Sequence, residues 1–340
     1  MGLKKTLEIR TSPHILSGYS VDTIMFNVVL ALLPTAAFAI YAFGLAALLT
    51  LTVALASCVL TEHLICRASG KSSTIADWSV VITGLLYGLT LPPGLPLWMT
   101  AVGGIIAVAV GKALFGGLGY NPFNPALVGR AVLQAAFPVS LTTWIPGFAA
   151  GRFASLPSST LTLPFTEPVY DAVSTATPLA MWKFDRELTG SGDLVMGFTS
   201  GSTGETASLI ILLGGIYLIA RNMMNWRIPV SILATVAAFS GILHMVDAEK
   251  YASPIFMLFS GGLMLGAIFM ATDMVGSPMT SLGCVLYGVL IGLLVVVIRI
   301  WGGMPEGVMY AILLANAVSP HIDSLIRPTV YGTRGKEAKS

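Results

Sequence analysis

Apolar runs of about 20 residues recur along this chain, and no other feature constrains its fold so strongly. "VVLALLPTAAFAIYAFG" at 28–44 and "VLYGVLIGLLVVVIRI" at 285–300 are examples. Each is long enough to cross a hydrocarbon core about 30 Å thick, where a helix satisfies its own backbone hydrogen bonds. Ten such segments can be marked, at roughly 22–43, 46–66, 75–92, 96–115, 122–138, 206–221, 228–245, 253–271, 282–301 and 306–319. The fifth and tenth ("NPFNPALVGRAVLQAAFP" and "MPEGVMYAILLANAVSP") are short and flanked by polar residues, which predicts broken or tilted helices. Only 10% of the 340 residues are charged, against about a quarter in soluble domains. The expectation is an all-α polytopic membrane protein with about ten transmembrane helices. A net charge of +2, with no basic patch interleaved with aromatics, argues against nucleic acid as a partner.

Short loops rich in Lys and Arg face the cytoplasm. Lys4, Lys5 and Arg10, then Arg67 and Lys71, then Arg221 and Arg227, then Arg327, Arg334, Lys336 and Lys339 fall on one side of a ten-span chain. The long segment 139–205 falls on the other side. Two stretches echo each other: "TGLLYGLTLPPG" (83–94) and "GGLMLGAIFMATDMVG" (261–276) align Gly84 and Gly88 with Gly262 and Gly266. Halves of five spans each must run in opposite senses, so the expectation is two inverted five-helix repeats. The organisation is then a cytoplasmic segment 1–21, a first repeat 22–138, an outward loop 139–205, a second repeat 206–319 and a cytoplasmic tail 320–340.

Ionisable groups inside spans are costly and point to function. Glu62 and His63 sit near a span end, where snorkelling accounts for them. Arg130 lies mid-span in "NPALVGRAVL" and needs an internal partner or an anionic ligand. Asp273, in "ATDMVGSPMT", is either a helix-end cap or a contact for a cation or flavin. Glu205 opens the sixth span, where a carboxylate suits the positive helix N-terminus. Cys58, Cys66 and Cys284 form no CxxC pair and read as packing residues, so no metal site is expected. No Ser-His-Asp arrangement, Walker loop, HExxH or dinucleotide fingerprint is present, so no catalytic residue is assigned.

Residues 171–180 read "DAVSTATPLA". By composition this is a linker, with Pro178 holding Thr177 away from helical geometry. Together with "NPFNPALVGRAVLQAAFP", "GSTGETASLIILLGGIYLI", "FMATDMVGSPMT" and "MPEGVMYAILLANAVSPHIDSLI", in that order, it resembles the RnfD/NqrB family of membrane subunits. The resemblance implies FMN (flavin mononucleotide) bound covalently through a phosphoester to Thr177, within a motif filled here by Asp171, Ser174 and Ala176. Thr175 stands where the family commonly has Gly, and offers a competing hydroxyl. The resemblance also implies a noncovalent riboflavin, for which Arg130, Asn124 and Asp273 are candidate contacts, or contacts for an ion. The implied function is that of a flavin-bearing component of an Rnf-type complex coupling electron transfer between ferredoxin and NAD to Na⁺ or H⁺ translocation. Its partners would be the other Rnf subunits (A, B, C, E and G) and membrane lipid. Its place would be the bacterial inner membrane, with the flavin loop on the periplasmic side. Ten spans in inverted halves would equally suit a solute transporter or channel, since fold alone does not settle function.

Overall fold

The computed structural model describes residues 20–70, 74–164, 166, 175–205 and 208–327. Asp171 and Ser174 of the motif lie outside the described residues, as do the basic residues near both chain ends beyond Arg327 and before Ser20. Helices account for every predicted apolar segment, and among the described residues there is no strand, only an isolated antiparallel bridge between Trp144 and Thr175.

Helix α1 (Val21–Phe43) starts where Ser20 accepts from the Thr23 amide, satisfying an orphan donor of the first turn. It turns at Gly44 into α2 (Leu45–Ala68). A 3₁₀ turn leads into α3 (Ser79–Leu89), followed by α4 (Leu97–Ala109). Helix α5 (Pro125–Ala136) begins with Asn124 as its cap and a proline at its first position, both favoured there. The long connection that follows carries α6 (Pro138–Thr142), α7 (Pro178–Ala180) and α8 (Ser191–Met196). Then come α9 (Ser208–Ala220), α10 (Arg227–Val246), α11 (Pro254–Phe259), α12 (Leu263–Leu265), α13 (Ser281–Trp301) and α14 (Val308–Leu325).

Among the described residues, five stretches are long and apolar enough to cross a membrane: α1, α2, the run Leu97–Phe115, α10 and α13. Helices α3 and α9 are shorter apolar helices. The fifth predicted span is a helix of 12 residues. The eighth is broken: Ser260–Gly262 interrupts it, Gly261 takes φ +64°, and α12 continues into a π-helical turn over Gly266–Met270. The tenth is longer than expected, running through Pro320 to Leu325. Leu60, Leu64, Leu213, Ile242 and Leu282 are exposed on these helices, an apolar surface that lipid covers at no cost. The chain is an all-α polytopic membrane protein.

The two halves pack alike. In the first, α2 lies against α3 and α4, and α4 against α5; in the second, α10 lies against α11 and α13, and α13 against α14. The Ser57 side chain of α2 fills the space left by Gly104 of α4, and Ser231 of α10 does the same at Gly288 of α13. Both serines bond the carbonyl three residues back, Ala54 at 3.0 Å and Ile228 at 2.9 Å. The aligned glycines behave differently: Gly88 packs on Leu51 and Ala54 of α2, whereas Gly266 packs on Val308 and Ile312 of α14. Helices α1 and α9, and α5 and α14, join the halves.

Candidate functional site

Three local devices bring the segment around Thr177 onto the helix ends. Pro178 opens α7, and Thr177 is extended (φ −70°, ψ 155°), as expected for a residue before proline. Its hydroxyl accepts from the Ala180 amide at 3.3 Å. The Thr175 amide donates to the Trp144 carbonyl at 3.0 Å, which ties the segment to the chain leaving α6. Lys183 Nζ donates to the carbonyls of Arg299 and Gly302, at 2.9 and 2.5 Å, at the end of α13. A cation there satisfies carbonyls that the helix leaves without partners.

The wall opposite is built from other helix ends. Thr203 and Gly204 cover the last turn of α3, with Thr203 Oγ1 donating to Gly88 O at 2.8 Å and Gly204 N to Leu89 O at 2.7 Å. A Cβ on Gly204 would meet that same Leu89 carbonyl at 3.0 Å, so a larger residue would push the strap away. This strap presents Glu205. Arg299 reaches from α13 to the break in the eighth segment and donates to Met257 O (2.5 Å) and Ser260 O (2.8 Å). Arg130, on α5, pairs with Glu306 at 2.8 Å.

Between these walls lies a cavity of about 520 Å³, within the range of small-molecule sites. Thr175, Ala176, Thr177, Arg130, Glu205, Arg299 and Glu306 all line it, and apolar groups such as Trp144, Leu141 and Val308 complete it. Among the described residues, six buried polar atoms of its lining residues have no hydrogen-bond partner: Arg130 Nε, Thr175 Oγ1, Ser202 Oγ, Glu205 Oε1, Arg299 Nε and Glu306 Oε1. Buried polar groups are rarely left so, and a cluster of them around one space suits a ligand with many donors and acceptors. Burial, with the Glu306 carboxylate beside it, pushes the Glu205 carboxyl up to about 7, against the pull of Arg130.

At the opposite ends of the helices is a smaller cavity of about 100 Å³, lined by Lys112, Asn121, Asn124 and Asp273 among others. Asn124 Nδ2 donates to Met270 O at 3.2 Å. The Asp273 carboxylate accepts from the Val275 amide at 3.2 Å, and burial raises its proton affinity against the help of Val275 and Asn121. The structure thus separates the candidates: Arg130 belongs with Thr177, whereas Asn124 and Asp273 share the other cavity.

Two sequence expectations change here. Glu62 does not snorkel; it is buried, and Lys112 Nζ holds both its carboxylate oxygens at 2.8 Å. Glu205 is more than a helix cap, since it bonds the Ser202 amide at 3.2 Å and turns its other oxygen to the large cavity. Thr177 is only 1% exposed, and it lines the cavity rather than standing in open solvent. Glu306, Arg299, Lys183 and Lys112 were missed by sequence reasoning. Arg299 and Lys112, charges at the ends of apolar runs, carried the same signal as Arg130.

Residues 8–332 match the model of the family described as NQR2, RnfD, RnfE. The chain belongs to that family. Among relatives of this RnfD-type chain, the D subunit of the proton-translocating ferredoxin:NAD(+) oxidoreductase complex of Clostridium ljungdahlii is 40% identical, over 97% of this chain and 98% of the relative. The D subunit of the Na(+)-translocating ferredoxin:NAD(+) oxidoreductase complex of Acetobacterium woodii is also 40% identical, over 98% of each. The D subunit of the ion-translocating oxidoreductase complex of Stutzerimonas stutzeri is 38% identical, over 93% of this RnfD-type chain and 94% of the relative.

Proposed function

We propose that this chain is the D subunit of an Rnf-type complex that couples electron transfer between ferredoxin and NAD to Na⁺ or H⁺ translocation, carrying FMN as a phosphoester on Thr177. The observation that carries the assignment to the complex is 40% identity, across nearly the whole length, to D subunits named for this activity. Relatives named for Na⁺ and for H⁺ match equally well, so identity favours neither ion. The partners are the other Rnf subunits (A, B, C, E and G). The basic loops support an orientation with the Thr177 end outward, toward the periplasm of a bacterial inner membrane.

The cavity at Thr177 fits the flavin on three counts. It has the volume of a small-molecule site, apolar walls for a ring system, and unpartnered donors and acceptors for the polar edge and phosphate. When bound, FMN supplies one- and two-electron redox chemistry. This chain's residues supply the rest: Thr177 fixes the phosphate, and Pro178 and Lys183 fix Thr177. Arg130 and Arg299 bring positive charge to the cavity, and the apolar lining offers walls for the ring system. The smaller cavity, with Asn124 and Asp273, is below the size of a flavin site, and Arg130 lies elsewhere. Those three residues do not fit a riboflavin held by this chain alone, and no step is assigned to one.

The test uses membrane vesicles containing the whole complex. Ferredoxin-dependent NAD⁺ reduction should drive ion uptake and be lost in Thr177→Ala while the complex still assembles. Undiminished coupling in Thr177→Ala would refute the flavin role. Solute flux by the lone chain in liposomes, without an electron donor, would favour a transporter.

A further inference from the structure

The large cavity holds two carboxylates and two guanidiniums whose pairing is incomplete. Arg130 and Glu306 form an ion pair, each with one buried atom left over. Arg299 spends its two terminal nitrogens on backbone carbonyls of α11 and the break after it, so its charge has no carboxylate bonded to it. Among the described residues the Glu205 side chain accepts from the Ser202 amide, and its Oε1 is buried without a partner. The charged groups around Glu205 come from three other elements: Arg130 on α5, Arg299 on α13 and Glu306 in the turn before α14. With both carboxylates ionised the four charges sum to zero; with one proton bound they sum to +1.

We propose that Glu205, set against Glu306, is the proton-exchanging group of this cavity, binding one proton when negative charge arrives on the group held at Thr177 and releasing it when that charge leaves. The proposal rests on the flavin assignment above. In balance, one electron delivered through the complex makes the bound group one unit more negative. One proton from water then converts the Glu205 carboxylate to the acid, and the cavity's total charge is unchanged. Oxidation reverses both. Phe184 and Met304 on the cavity lining are exposed at the protein surface, so the cavity opens there. A carboxylate already destabilised by burial and by Glu306 is the group that an added negative charge protonates most easily. Glu306, in its ion pair with Arg130, acts as a positioning residue that sets how readily Glu205 takes the proton.

The test is spectroelectrochemical titration of the flavin on the purified full chain, across a pH range centred near 7, after peptide mass has located the flavin on Thr177. The wild-type midpoint potential should fall more steeply with pH than that of Glu205→Gln, which keeps the side chain's shape and its bond to Ser202. Glu306→Gln should move the steep region to lower pH, because it removes the neighbouring negative charge. Equal slopes in wild type and Glu205→Gln, with the flavin in place, would overturn the proposal and leave the flavin assignment standing. A chain without the flavin mass would overturn both. If Glu205→Gln does not accumulate, an unmoved profile in Glu306→Gln overturns the proposal by itself.

Discussion

Lys183 Nζ lies 2.9 Å from the carbonyl of Arg299, while the Arg299 guanidinium itself caps the end of α11. Two cations in series thus tie the Thr177 segment to α13 and α13 to the broken eighth segment. Both act on carbonyls that helix ends leave without partners.

Lys183→Met removes the first of these links. It should lower stability in detergent by about 1–2 kcal/mol, the value of a partly buried cation at a helix C-terminus. Limited proteolysis should then cut more readily in the region 175–205. Unchanged melting and cleavage would mean that the loop is held by other contacts.

The Lys112–Glu62 pair gives a prediction with an internal control. Lys112→Met leaves the buried Glu62 carboxylate without its counter-charge, with only the Thr74 hydroxyl donating to it among the described residues, and should cost about 3–5 kcal/mol. Adding Glu62→Gln should recover much of that loss, because a neutral side chain in the same place needs no counter-charge. Thermal unfolding of the single and double variants checks this, and a double variant no better than the single would contradict it.

The helical architecture was legible because it is local. Apolar runs, the Asn124–Pro125 start of α5 and the effect of Pro178 on Thr177 all act within a few residues. The mid-span Arg130 correctly announced an internal partner. Which partner was not legible, since Glu306 is 176 positions away in a stretch, "GGMPEG", that reads as an ordinary turn. The break at Ser260–Gly262 was hidden for the same reason: its carbonyls are satisfied by Arg299, from another helix. Composition presented 171–180 as a linker, whereas Thr177 is buried and its neighbours Thr175 and Lys183 bond Trp144 and the end of α13.

Glu205 should leave a mark on stability as well as on redox behaviour. Its carboxyl titrates near 7 in the folded chain, above the ordinary 4.5. The folded state therefore binds the extra proton between these values, and this contribution to stability is present below about 4.5 and is lost as pH rises through 7. Melting temperature should fall from pH 5 to pH 8 by more in the wild type than in Glu205→Gln, as followed by differential scanning fluorimetry. Parallel profiles would exclude this titration.

Gly44, between α1 and α2, takes φ +67°, and a Cβ there would overlap the Arg152 carbonyl, which also accepts from the Leu45 amide at 3.0 Å. Gly44→Ala should cost about 1–3 kcal/mol in backbone strain. It should also free the 145–155 region from α1, visible as faster amide exchange there. Wild-type exchange in the variant would contradict that docking.

The central claim is most directly tested by the mass of the proteolytic peptide containing Thr177, from chain produced together with a flavin transferase. The account predicts the peptide's sequence mass plus one FMN less one water, with fragmentation placing the addition on Thr177 and its loss in Thr177→Ala. An unmodified peptide, or the addition on Thr175, would contradict it.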